Sequence, residues 1–401
     1  MDLLTTLHRK GLGTAAAVLL LCGCAPSEQL RQDGGAAPPA SSSGAIPSAA
    51  PPSEAAESAD RFPYEPTVLA EGLDLPWEIA LAPDGRIFFT ERPGALRVIE
   101  DGRLREEPLL EVEGPDGGEG GLLGLALDPA FADNGYAYAY HSYEEQGRIL
   151  NRVLRLRIEG GKAAIDQVLL DSIPGAVNHN GGRLRFGPDG MLYATTGDAS
   201  EPELAQDPDS LAGKILRLQP DGSVPADNPF PGSPVYSLGH RNPQGLAWHP
   251  ESGELYSSEH GQSAHDEINR IRPGANYGWP DVEGDESGEA ADGQPLQVPA
   301  AHSGDETWAP SGMAFLTDGP WQGRLLVSAL RGERLLQASL AADGSVSSIE
   351  PFFEGEWGRL RSIVEAPDGT LYVLTSNRSR GNPADNDDRI VALVPQPSPS
   401  P

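Results

Sequence analysis

One short unit recurs six times along this chain, and repetition at intervals of some tens of residues restricts the fold more tightly than any composition does. The copies are Ile79 to Glu91 (IALAPDGRIFFTE), Leu123 to Tyr140 (LGLALDPAFADNGYAYAY), Leu184 to Asp198 (LRFGPDGMLYATTGD), Leu246 to Glu259 (LAWHPESGELYSSE), Met313 to Ser328 (MAFLTDGPWQGRLLVS) and Ile363 to Ser376 (IVEAPDGTLYVLTS). Each reads as an apolar strand, a turn rich in Pro, Asp or Gly, and a second strand of aromatic and β-branched residues. The turns fall near Asp84, Asp128, Asp189, Glu251, Asp318 and Asp368, at intervals of 44, 61, 62, 67 and 50 residues. A four-stranded blade with its connections takes about 40 to 50 residues, so each interval holds one blade, with a loop insertion where it is longer. The pattern predicts an all-β, six-bladed β-propeller over residues 62–394. A two-domain β-sandwich would suit the length but leaves the recurrence unexplained. The 48 glycines and 38 prolines agree with many turns and few long helices.

The two ends of the chain read differently. Residues 1–24 carry Arg9 and Lys10, then the apolar run GTAAAVLLL, then LCGC, the layout of an export signal too short to span a membrane. The ending resembles a bacterial lipoprotein signal, cleaved before Cys24, which would then carry the lipid; an ordinary secretory signal is the other possibility. Residues 25–61, rich in Ala, Pro, Ser and Gly, are expected to form a disordered linker, and residues 395–401 (PQPSPSP) a disordered tail. Both cysteines, Cys22 and Cys24, lie in the signal, so the propeller has no disulfide, thiolate metal site or cysteine nucleophile.

A formal net charge of -30 argues against nucleic acid and against electrostatic docking on anionic lipid. Against that background the basic and polar residues of the inter-strand loops stand out, because in a propeller the loops at one end of the channel converge. Glu119 sits in the glycine cluster DGGEGGLL, suited to a metal, a cationic group or a substrate hydroxyl, or else to a simple surface turn. His179 lies between Asn178 and Asn180 ahead of two glycines, where proton transfer is feasible, and Asp198 closes the following strand as a carboxylate able to orient the imidazole. GHRNPQG packs His240, Arg241, Asn242 and Gln244 into one turn, and Arg241 offers a planar fork to a carboxylate or quinone carbonyl. Glu259, Asp266 and Glu267 supply oxygens of the kind Ca²⁺ prefers, although an acidic surface would look the same. Arg331, Arg359 and Arg361 come from consecutive blades and suit a polyanionic ligand.

Taken in order, GGEGGLLGLALDP, NHNGGRLRFGPDGMLYATTGD, GHRNPQGLAWHP, EHGQSAHDEINRI and NYGWPDVEG resemble the soluble quinoprotein glucose dehydrogenase family, and more closely its aldose sugar dehydrogenase branch. The resemblance implies pyrroloquinoline quinone (PQQ) and Ca²⁺ at one end of the ring, with an aldose sugar oxidised to its lactone. It implies that His179 takes the anomeric hydroxyl proton while hydride passes to the quinone, and that Asp198 holds His179. It places Arg241 and Asn242 on the quinone, Glu119 near the cofactor, Arg331 on the cofactor as a basic residue, and Arg359 and Arg361 on its carboxylates. It implies backbone carbonyls of Gly261 and Gln262 on the cofactor's Ca²⁺, and Glu267 and Tyr277 at a second, structural Ca²⁺. Asn178 stands where the glucose enzyme has an acid, which leaves the choice of sugar open. With no CxxCH haem motif, electrons must leave to a separate acceptor, and membrane attachment would be through the Cys24 lipid alone. A Ca²⁺-dependent propeller lactonase has no use for three arginines, and a non-catalytic binding propeller has no use for His179 with Asp198.

Overall fold

A computed structural model describes residues 62–291 and 293–396. The expected signal, the expected linker up to residue 61 and residues 397–401 of the expected tail lie outside the described residues; the first two tail residues are ordered instead, because Pro395 ends a strand opposite Tyr64 and the Gln396 N–H donates to the Pro63 carbonyl at 2.8 Å. Six sheets, each built on four antiparallel strands, form the six blades of a β-propeller. Each of the six repeats forms the two inner strands of one blade, from Pro76–Leu81 with Ile87–Glu91 in the first to Leu360–Glu365 with Leu371–Thr375 in the last. Among the described residues no helix is long and apolar enough to cross a membrane.

Local chemistry sets the hairpins. In the three repeat hairpins that turn on Pro-Asp-Gly the aspartate side chain accepts the N–H two residues on, Asp84 from Arg86 at 3.1 Å, Asp189 from Met191 at 3.1 Å and Asp368 from Thr370 at 3.0 Å. The glycines that follow, Gly85, Gly190 and Gly369, take φ of 88°, 76° and 80°, values a side chain would strain. In one blade the sequence expectation needs correction. The extra length of the second interval is not a loop insertion but strand: Tyr136–Glu145, Arg148–Glu159 and Lys162–Pro174 form an overlong ribbon. The alternation in RILNRVLRLRIE, apolar inward and arginine outward, explains why this segment pairs instead of looping.

The ring closes through the chain's own ends. Tyr64–Ala70 forms the outer strand of the last blade, antiparallel to Ile390–Pro395, with Tyr64 opposite Pro395 and Val68 opposite Val391. No repeat-based reading finds this strand, since it is a lone segment before the first copy. Among the described residues, six apolar clusters occupy the six blade interfaces; the one joining last blade to first combines Ile79, Phe89 and Ile99 with Leu374 and Ile390.

On the axis the packing turns polar. The fully buried Arg183 pairs with the fully buried Glu78 and lies over the Trp77 ring, 4.2 Å from its centroid. Arg183 Nε also donates to the Gln244 carbonyl at 2.7 Å and Nη1 to Ser362 Oγ at 3.2 Å, while Ser362 Oγ donates to Glu78 at 2.8 Å. Burial alone would raise the Glu78 carboxyl out of the usual range, but Arg183 and Arg185 hold it below.

Removing one member of such a pair strands the other charge, so Arg183→Met should cost about 3–5 kcal/mol in denaturant unfolding. Glu78→Met/Arg183→Met should recover most of that loss. Because the folded carboxyl titrates below its unfolded value, this contribution is complete above the ordinary carboxylate range and is lost as pH falls below that range through the lower folded value. Melting temperature measured from pH 7 to pH 3 should therefore fall less steeply in the double variant.

Candidate active site

Two kinds of connection meet at one end of the ring, those from an outer strand to the next inner strand and those joining the second and third strands of a blade. They enclose a cavity of about 490 Å³. Its wall brings together Glu119, His179, Arg241, Gly261, Gln262, Arg331, Arg359 and Arg361, eight of the residues singled out from sequence.

His179 is held from three sides. Its backbone is left-handed, φ 62°, a conformation that costs a non-glycine residue roughly 1 kcal/mol or more. The adjoining chain must run close: a Cβ on Gly197 would lie 2.1 Å from the His179 carbonyl oxygen, so only glycine lets the next residue, Asp198, reach the imidazole. Asp198 is fully buried, and its Oδ1 meets His179 Nδ1 at 2.8 Å. The same carboxylate accepts the Ser200 N–H at 2.8 Å and the Trp279 indole N–H at 2.9 Å. A carboxylate can only accept, so Nδ1 carries the ring proton and Nε2 carries the lone pair. Glu119 completes the support by accepting the His179 N–H at 3.1 Å. Burial would raise the Glu119 carboxyl, but His260, that N–H and Arg380 together hold it below its ordinary value.

The rest of the wall is cationic. Six arginines, Arg92, Arg241, Arg331, Arg359, Arg361 and Arg380, face the cavity against three carboxylates, Glu119, Asp266 and Glu333. Burial, and then the neighbouring Arg92 and Arg359, push the Arg361 guanidinium far below its usual value. Among the described residues, four buried side-chain nitrogens of this wall lack any hydrogen-bond partner: Nε of Arg241, Arg359 and Arg361, and Nε2 of His260. Crowded like charges with idle donors call for a ligand carrying several anionic oxygens.

Other expected residues are placed differently. Asn242 is fully buried behind the wall, where its Oδ1 accepts the Gly181 N–H at 3.0 Å and its amide nitrogen lies 3.4 Å from His260 Nδ1. Glu267 and Tyr277 do not face the main cavity but a small neighbouring one, together with Glu259 and Glu283. Burial and then the charge of Glu259 push the Glu267 carboxyl well above its ordinary range. The Tyr277 hydroxyl is committed to the Arg270 carbonyl at 2.6 Å, so a cation there could draw only on its backbone oxygen. Among the described residues no three His, Cys, Asp or Glu side chains are grouped to hold a metal by themselves.

Sequence reasoning missed Arg92, Arg380, His260 and Trp279. The repeat register could have found the first three. Arg92 and His260 directly follow the second strand of their blades, and Arg380 ends the short helix Asn377–Arg380 after another, the connection that supplies Asp198 in the third blade. Trp279 comes from the long segment after Glu267–Ile271, which no repeat covers.

Residues 73–382 match a family model described as Glucose / Sorbosone dehydrogenase. An aldose sugar dehydrogenase of Escherichia coli strain K12 is 34% identical, over 78% of this chain and 90% of the relative. Quinoprotein glucose dehydrogenase B of Acinetobacter calcoaceticus is 29% identical, over 86% and 92%. Among solved structures, the PQQ-bound form of aldose sugar dehydrogenase from Streptomyces coelicolor superposes with a TM-score of 0.74 at 40% identity, covering 82% of this chain and 98% of that one.

The arginine crowd has a measurable cost. A buried charge crowded by like charges costs folding free energy that an apolar side chain of similar length would not. Arg361→Met should therefore raise the melting temperature of the ligand-free protein while weakening its hold on polyanions, read by calorimetry and by ligand titration.

Proposed function

The chain belongs to the glucose/sorbosone dehydrogenase family and is a PQQ-dependent sugar dehydrogenase, and on that premise we propose that it oxidises the anomeric hydroxyl of aldoses to lactones with His179 as general base. The observation that carries this reading is the His179–Asp198 pair, which leaves an imidazole lone pair on the wall of an arginine-lined cavity. His179 takes the hydroxyl proton at Nε2, and the imidazolium so formed is stabilised by Asp198 at 2.8 Å from Nδ1. Trp279 and Ser200 keep the carboxylate in place, so the ring holds its orientation as it charges.

The cofactor's three carboxylates match the crowded arginines, with Arg331, Arg359 and Arg361 in that role. Arg241 and Glu119 would contact its quinone, and Asn242 contributes from behind by bracing the wall. When bound, PQQ supplies the acceptor for the anomeric hydrogen and its electron pair. Backbone carbonyls of Gly261 and Gln262 would hold Ca²⁺ beside it, and Glu267, with the Tyr277 carbonyl, a second Ca²⁺. The electrons then pass to a separate carrier. In this reading the protein is exported and anchored through a lipid on Cys24, facing the periplasm or cell exterior on the tether of residues 25–61.

The purified domain, reconstituted with PQQ and Ca²⁺, should reduce an artificial dye when given aldoses, and His179→Ala should lower kcat by about 10²- to 10⁴-fold. No dye reduction with any aldose, or unchanged activity in His179→Ala, overturns the proposal. Chelation should lower the melting temperature and added Ca²⁺ should restore it, an increment that Glu267→Gln reduces by the share of the second site.

A further inference from the structure

The strained backbone of His179 requires something to hold it, and part of the hold comes from a distant blade. The short helix Asn377–Arg380 lies in the connection following the second strand of the last blade. Its root is fixed: the buried Asn377 donates to Asp387 at 3.0 Å and to the Trp357 carbonyl at 2.9 Å, and its N–H meets Asp388. From that root Arg380 reaches across the mouth of the cavity. Nη1 lies 3.1 Å from Glu119 Oε1, and Nη2 donates to Asn178 Oδ1 at 2.8 Å. The other oxygen of the same Glu119 accepts the His179 N–H at 3.1 Å. Next to it, Ser379 Oγ accepts from Arg92 at 3.1 Å, a second tie between the last blade and the first.

We infer that Arg380 is a positioning residue for the base: one guanidinium grips Asn178, immediately before His179, and at the same time the carboxylate that secures the His179 N–H. The inference rests on the proposed role of His179. The loop carrying His179 joins the second and third blades, Glu119 belongs to the connection between the first and second, and Arg380 to the last, so the clamp spans the open mouth. A planar fork is needed for two acceptors set apart in this way, and a lysine ammonium can engage only one of them well. More than half of the Arg380 side chain is exposed, and it takes no part in the apolar packing between blades. Its loss should loosen the loop without unfolding the domain.

The test is hydrogen exchange in the cofactor-free domain, read on peptides spanning residues 177–181. Arg380→Ala should speed exchange there by roughly three- to tenfold, the size of one lost hydrogen bond, with the melting temperature unchanged. Arg380→Lys should fall between, and millimolar guanidinium ion should restore protection in Arg380→Ala but not in the wild type, which needs none. In the PQQ-loaded enzyme kcat should drop in Arg380→Ala and recover with guanidinium. Unchanged exchange in Arg380→Ala overturns the clamp, and faster exchange with unchanged kcat overturns its part in the reaction. If exchange behaves as expected but the loaded wild type oxidises no aldose, the clamp stands as structure and the functional reading is what fails.

Discussion

The pairing of Arg183 with Glu78 on the ring axis is the interaction on which the rest of the molecule depends. A propeller leaves a channel where its innermost strands converge, and that channel must be filled or solvated. Here it is filled by charge. Glu78 comes from the first blade and Arg183 from the entry to the third, and the guanidinium also reaches the fourth blade at Gln244 and the sixth at Ser362. Every donor so placed ties one blade to another at the narrowest point. Removing two charges from water is costly, so the network stands only because it is nearly complete.

The functional end of the same axis is built on the opposite principle. Arg361 shares Gln244 with the axial network, donating to its Oε1 at 2.7 Å, yet its own Nε has no partner among the described residues. One residue thus joins a satisfied interior to an unsatisfied cavity. Where the axial arginine is balanced by Glu78, those above it outnumber the carboxylates, and the folded chain carries that electrostatic strain in the absence of a polyanion. This is the usual relation between a binding site and stability: groups arranged for a ligand are poorly arranged for each other. In a protein of net charge -30 the concentration of arginine at one mouth also steers anions to a single place.

Much of this was legible in the chain itself, for definite reasons. Strand and turn chemistry are local, and six copies of the same local solution leave few architectures able to bury six similar faces. His179, Asp198 and the late arginines could be picked out because glycine-rich or arginine-bearing loops recur at the two connections of the repeat that meet at one end of the ring. The legibility ended where contacts ceased to be local or repeated. The overlong ribbon of the second blade is marked in sequence only by its alternation, since length alone reads as an inserted loop. The closing strand Tyr64–Ala70 could not be seen, since its partner Ile390–Pro395 lies at the far end of the chain. Trp279, whose indole fixes Asp198, sits in an irregular segment with no periodicity to mark it.

What the sequence determined by itself, then, is the architecture and the chemical types available to the site, since both follow from patterns repeated over short distances. What only the tertiary structure decided is which of those groups face one another. Asn242 went behind the wall, Glu267 and Tyr277 into a separate small cavity, and Arg380 across the mouth to Glu119 and Asn178. The physical reason is that closing the ring brings residues some 200 and more positions apart to within 3.1 Å, and no local preference encodes such a meeting.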